Sequence, residues 1–95
     1  MAYKIFITPT AFKDLSFASE YYEQKSAGLG NKFNETIQNY FNRITETPFS
    51  SSVRYRNIRC KPVLRFPFII MYTIEETQQA VHILRVFNTY QKPIW

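Results

Sequence analysis

Between residues 54 and 65 the chain carries Arg54, Arg56, Arg59, Lys61 and Arg65 with no acidic residue among them. Arg85, Tyr90, Lys92 and Trp95 follow towards the end of the sequence. Guanidinium forks hold phosphate or carboxylate through paired hydrogen bonds, and aromatic rings offer stacking surfaces. Such a set can grip RNA, an enzyme bound to DNA, or an acidic peptide, and the pattern does not choose among them. Arg54 and Arg56 alternate around Tyr55, which predicts that both project from one face of a strand.

Other chemistry finds little support. The only histidine, His82, lies inside an apolar stretch that reads as a strand, so its expected role is packing or edge exposure rather than catalysis. The only cysteine, Cys60, has no second thiol to pair with and no neighbouring histidine. An intramolecular disulfide is therefore impossible, which fits a reducing cytoplasm, and no metal site is expected. No glycine-rich phosphate loop is present. The sequence predicts neither metal nor cofactor.

The charge is divided unevenly. Residues 1–47 hold five basic and five acidic side chains, whereas residues 48–95 hold seven basic side chains against Glu75 and Glu76. The whole net charge of +5 thus sits in the second half. It raises the local concentration of anions and suits nucleic acid or an acidic protein partner.

The elements that must position these residues follow from periodicity. Residues 3–7 read as a short strand. Thr8 and Pro9 supply an N-cap and a first helical position, and Ala11, Leu15, Ala18 and Tyr22 recur at helical spacing over residues 9–25. Gly28 and Gly30, the only glycines, mark a turn. A second helix over residues 30–46 carries the apolar stripe Phe33, Ile37, Tyr40, Phe41 and Ile44, and Pro48 ends it. Two helices joined by so short a turn form an antiparallel hairpin. From residue 53 the period becomes that of strands, with Pro62 and Pro67 expected at ends, bulges or edges. The run from Phe66 to Tyr72 suggests a central strand covered on both faces, and residues 75–78 suggest a hairpin turn. The predicted fold class is α+β: an N-terminal strand, an antiparallel helical hairpin, then an antiparallel β-meander forming one small twisted sheet.

Ninety-five residues predict a single domain over residues 1–95, able to bury about 60–65% of its unfolded surface. No targeting segment is visible, and no apolar run is long enough to span a bilayer, so a soluble cytoplasmic protein is expected.

The order of YKIFITPTAFKDL, Tyr21-Tyr22, Gly28-Leu29-Gly30 before Phe33, Arg65-Phe66-Pro67-Phe68 before Tyr72, and a closing Pro93 to Trp95 resembles the RelE/ParE toxin superfamily, in its ParE-like plasmid-stabilisation branch. The resemblance covers essentially the whole chain. It implies a small twisted sheet with an N-terminal helical hairpin. It also implies a cognate antitoxin whose C-terminal segment wraps the toxin, combining apolar anchors with acidic residues in a hetero-oligomer. For the ParE-like branch it implies growth inhibition through binding to DNA gyrase.

RelE-like members, by contrast, are ribosome-dependent mRNA endonucleases. Their resemblance implies an arginine at the position held here by Ile69. An apolar side chain cannot stabilise a pentavalent phosphorane or its leaving group, which argues against mRNA cleavage. An endonuclease would have to draw on Lys61, Arg65, Arg85 or Tyr90. The ParE-like branch often has histidine and arginine where this chain has Asn88 and Gln91, so an inactive homologue that still binds antitoxin is a further reading. The residues expected to meet target or partner are Arg54, Arg56, Arg59, Lys61, Arg65, Arg85, Tyr90, Lys92 and Trp95.

Overall fold

The computed structural model describes residues 2–90. Strand β1 (Lys4–Ile7) leads into helix α1 (Pro9–Lys25), and helix α2 (Leu29–Glu46) follows. A 3-10 turn (Pro48–Ser50) then delivers the chain to β2 (Val53–Tyr55), β3 (Ile58–Val63), β4 (Phe68–Glu75) and β5 (Ala80–Asn88). The five strands form one sheet in the order β1-β5-β4-β3-β2. The meander β2 to β5 is antiparallel, as its hairpins require, while β1 joins the far edge parallel to β5. Among the described residues no helix is long and apolar enough to cross a membrane.

The helix boundaries follow local chemistry. Thr8 Oγ1 accepts from the amide of Ala11 at 3.1 Å and donates to the carbonyl of Leu84 at 3.0 Å. One hydroxyl therefore caps α1 and ties it to β5. Between the helices Gly28 takes φ +87°, a conformation that side chains rarely adopt. A Cβ on Gly30 would meet the carbonyl oxygen of Ser19 at 2.7 Å, so the close approach of α2 to α1 requires glycine there. The Glu23 carboxylate, on α1, accepts from the amides of both Gly28 and Gly30 and satisfies the otherwise orphan donors at the start of α2.

The core lies between the hairpin and one face of the sheet. Phe33, Ile37, Phe41 and Ile44 of α2 pack on Phe68, Ile70, Tyr72, Val81, Ile83 and Val86. Helix α1 buries only Ala11 and Ala18, leaving Phe12, Phe17 and Tyr21 exposed. Two buried polar groups are matched across layers: Tyr72 Oη donates to the carbonyl of Pro48 at 2.7 Å, and Tyr40 Oη accepts from the amide of Leu64 at 2.9 Å. Strand β4 is internal, and Met71 on its far face is only 3% exposed, so the apolar run is covered on both faces at that point.

The prolines sit where pairing permits. Pro62 lies within β3, opposite Ile69, but β2 pairs with β3 only at Ile58 and Arg59, so the other side of β3 carries no ladder there. Pro67 precedes β4. A bulge interrupts the β4–β5 ladder: Met71 faces Arg85, while Tyr72 faces Ile83. Leu84 is the extra residue, and it resets the alternation so that Val86, not Arg85, follows Val81 and Ile83 into the core.

Candidate functional site

Among the described residues, the basic side chains of the second half divide into those held by the fold and those for which it supplies no hydrogen-bond or ion-pair partner. Arg85 belongs to the first group. Strand β1 pairs only with Ala80–Ile83, so the rest of β5 is an uncovered edge, and Asp14 of α1 occupies it. The Asp14 carboxylate receives Arg85 Nε at 2.8 Å, Arg85 Nη2 at 3.0 Å and the amide of Val86 at 3.1 Å. The hydrogen bonds to Asp14 push the guanidinium pKa above its ordinary value, against the opposing effect of burial. Arg59 also looks inward. Its Nη1 donates to the carbonyl of Ser51 at 2.6 Å, and its guanidinium lies 5.1 Å from the Phe49 ring centroid, fixing the passage from the 3-10 turn into β2.

Arg54 and Arg56 do not share a strand face as expected. Strand β2 ends at Tyr55, and Arg56 turns the chain at φ 53° with its guanidinium 5.2 Å from the Tyr55 ring centroid. The cause is the tight link to β3, whose pairing resumes at Ile58 and leaves no room for the alternation to continue. Arg65, at φ 78°, sits in the β3–β4 turn beside Tyr22, Leu29, Lys32, Phe66 and Pro67. Tyr90 is 87% exposed and borders a cavity with Phe17, Tyr21, Tyr22 and Arg85. Burial raises the Tyr22 hydroxyl pKa, helped by Tyr21 and Tyr90. Lys92 and Trp95, like Gln91, lie outside the described residues.

Arg54 and Lys61 project from different faces of the sheet: Arg54 alternates with Val53, the partner of Arg59, and lies on the face away from the helices, whereas Lys61 is opposite Ile70 on the helix-facing side and also borders Arg43, Ile44 and Glu46. Both border a groove of about 530 Å³ lined also by Ser50, Ser51, Ser52, Cys60, Pro62, Ile69 and Thr89, above the buried Met71 and Phe87. Neither cation has a hydrogen-bond or ion-pair partner among the described residues. Burial raises the Cys60 thiol pKa, with Arg54 acting in the opposite direction. Ser51 is only 7% exposed, and its buried Oγ has no hydrogen-bond partner among the described residues. Nothing in the sequence singles out Ser51 beyond its place in three consecutive serines ahead of a basic strand. His82 stands apart on β5, with Nε2 2.9 Å from Glu75 Oε1 and its ring stacked on Phe6 at 5.3 Å.

The sequence matches the family model for the ParE toxin of type II toxin–antitoxin systems over residues 5–93. The chain belongs to the ParE toxin family. Solved structures agree on the ParE-like fold. It is similar to a chain of the chromosomal ParDE system from P. aeruginosa, with TM-score 0.79, 15% identity, and coverage of 92% of this chain and 96% of that one. The RelBE toxin–antitoxin complex of Mycobacterium tuberculosis gives TM-score 0.66 at 18% identity, covering 93% and 99% of the two chains. The isolated E. coli RelE toxin gives 0.71 at 14% identity, covering 98% and 90%. A comparison with curated proteins found no match by sequence. In this ParE-family chain the position opposite Pro62 and Phe87 on the outer sheet face is the apolar Ile69.

Proposed function

We propose that this chain is the toxin half of a type II toxin–antitoxin pair, that it acts in the cytoplasm by binding and inhibiting DNA gyrase, and that a cognate antitoxin neutralises it in a hetero-oligomer. Family membership supports the toxin role. The dispersal of possible catalytic groups supports binding over cleavage. Lys61 lies on the helix-facing side of β3 beside Glu46, Arg65 lies in the β3–β4 turn, and Arg85 and Tyr90 border another cavity, with Arg85 committed to Asp14. Proton transfer and phosphate stabilisation need groups within hydrogen-bond reach of one reacting centre, and these four share none. The groove residue Ile69 adds no charge.

The test pairs two assays on the purified protein. Gyrase supercoiling should be inhibited and then restored by the antitoxin. Programmed ribosomes should yield intact mRNA. Codon-specific cleavage that disappears in Arg65→Ala or Arg85→Ala would establish the endonuclease reading instead. Deletion of residues 91–95 should abolish growth arrest while leaving the thermal midpoint and antitoxin binding intact. A truncated protein that unfolds would make that segment structural, and one that stays toxic would move the target surface elsewhere.

A further inference from the structure

The two edges of the sheet are finished differently. At one, β2 is short, falls out of register with β3 and carries Arg54, all features that keep a further strand away. The other edge is β1, and its open side has no such protection. The amides of Lys4 and Thr8 donate towards β5, to the carbonyls of Gln79 and Ile83. By the alternation of a strand, the amides and carbonyls of Ile5 and Ile7 point the opposite way, and among the described residues they have no backbone partner. Apolar side chains flank this row on both faces. Phe6 is exposed on the outer face, stacked on His82, while Ile7 and Phe12 are exposed on the helix side.

We propose that this edge pairs with the same edge of a second copy of the chain, β1 against β1 antiparallel, in a two-fold homodimer that joins the two five-stranded sheets into one. The free groups select the register. One arrangement uses all of them: Ile5 pairs with Ile7 of the second copy and Ile7 with its Ile5, each pair exchanging both its hydrogen bonds. Phe6 then sits on the axis opposite Phe6 of the second copy, at a non-hydrogen-bonded position where facing side chains come closest. Lys4 meets Thr8 rather than another Lys4. The next pair along, Tyr3 with Pro9, ends the ladder, because the Tyr3 amide is already given to the carbonyl of Thr45 and Pro9 has no N–H. Charge favours a second copy here as well. Residues 1–47 are balanced in sign, and Arg54, Arg56 and Arg59 lie towards the far edge of the sheet, so the like charges of two copies stay apart. So short an edge makes a weak dimer.

Light scattering on the isolated protein should show its mass rising with concentration from one chain towards two. Phe6→Lys should weaken the dimer at least about tenfold and leave the thermal midpoint unchanged, since an exposed lysine on an edge strand opposes pairing without disturbing the core. In a Cys60→Ser background, Phe6→Cys should cross-link to a dimer under oxidised glutathione at least about tenfold faster than Lys4→Cys or Ile5→Cys, because position 6 alone faces itself across the axis. A mass that stays at one chain at every concentration overturns the proposal. So does a dimer indifferent to Phe6→Lys in which position 6 cross-links no faster than position 5, since it must use another surface. Ile5 and Ile7 amides that gain protection from hydrogen exchange only when the product of the adjacent reading frame is added assign the edge to that partner, and overturn the proposal too.

Discussion

The two faces of the sheet solve different problems. The face under the hairpin is closed: Phe33, Ile70, Tyr72, Val81 and Ile83 are shut off from solvent, and the hydroxyls of Tyr40 and Tyr72 both reach backbone partners. The outer face around Arg54 is less complete: among the described residues the Ser51 hydroxyl has no hydrogen-bond partner and Arg54 no ion-pair partner. The two faces thus differ in how completely their polar groups are matched.

The largest expected effect lies on the closed face. Phe33→Ala should cost roughly 3–5 kcal/mol, since it empties a site packed against Tyr22, Phe66 and Phe68, and chemical denaturation should show it as a lower midpoint at unchanged slope. A loss below about 1 kcal/mol would mean that the aromatic cluster is loosely packed.

Next comes the edge of β5. Asp14→Ala strands the Arg85 guanidinium and the Val86 amide together and should cost about 2–3 kcal/mol. Asp14→Asn should cost less, because its carbonyl still accepts from Val86. Equal losses in the two variants would assign the whole effect to charge.

The smallest stability effect carries the most informative sign. Ser51→Ala removes a buried hydroxyl that has no hydrogen-bond partner among the described residues, so it should leave stability unchanged or raise it by up to about 1 kcal/mol. Destabilisation on this substitution would show that the hydroxyl has a partner in solution, and the distinction between the two faces would blur.

Much of this was legible in the sequence because it is local. The Thr8-Pro9 start, the Gly28–Gly30 turn, the α2 stripe and the strand-like second half each depend on a few neighbouring residues, and each lies where the pattern puts it. What escaped depends on partners far along the chain. The ion pair of Arg85 with Asp14 joins residues 71 positions apart, and alternation alone would have put Arg85 on the face of Ile83 had the bulge at Leu84 not intervened. The parallel seat of β1 beside β5 leaves no mark on either strand's own pattern. The basic cluster read as one surface is several, because whether an arginine is occupied depends on which carbonyl or carboxylate the fold brings to it. Ser51 carries no signal of its own beyond its serine neighbours, since burial without a partner is a tertiary property.

The central claim is this division of the cations, and one paired measurement tests it. Thermal midpoint and antitoxin affinity are recorded together for Arg85→Gln and Arg54→Gln. Arg85→Gln should lose about 2 kcal/mol, a drop of roughly 8–16 °C for a chain of this size, with affinity largely kept in the molecules that remain folded. Arg54→Gln should hold its stability within about 0.5 kcal/mol and lose affinity. The reverse outcome, a stable Arg85→Gln that no longer binds and an Arg54→Gln that melts early, would contradict the account.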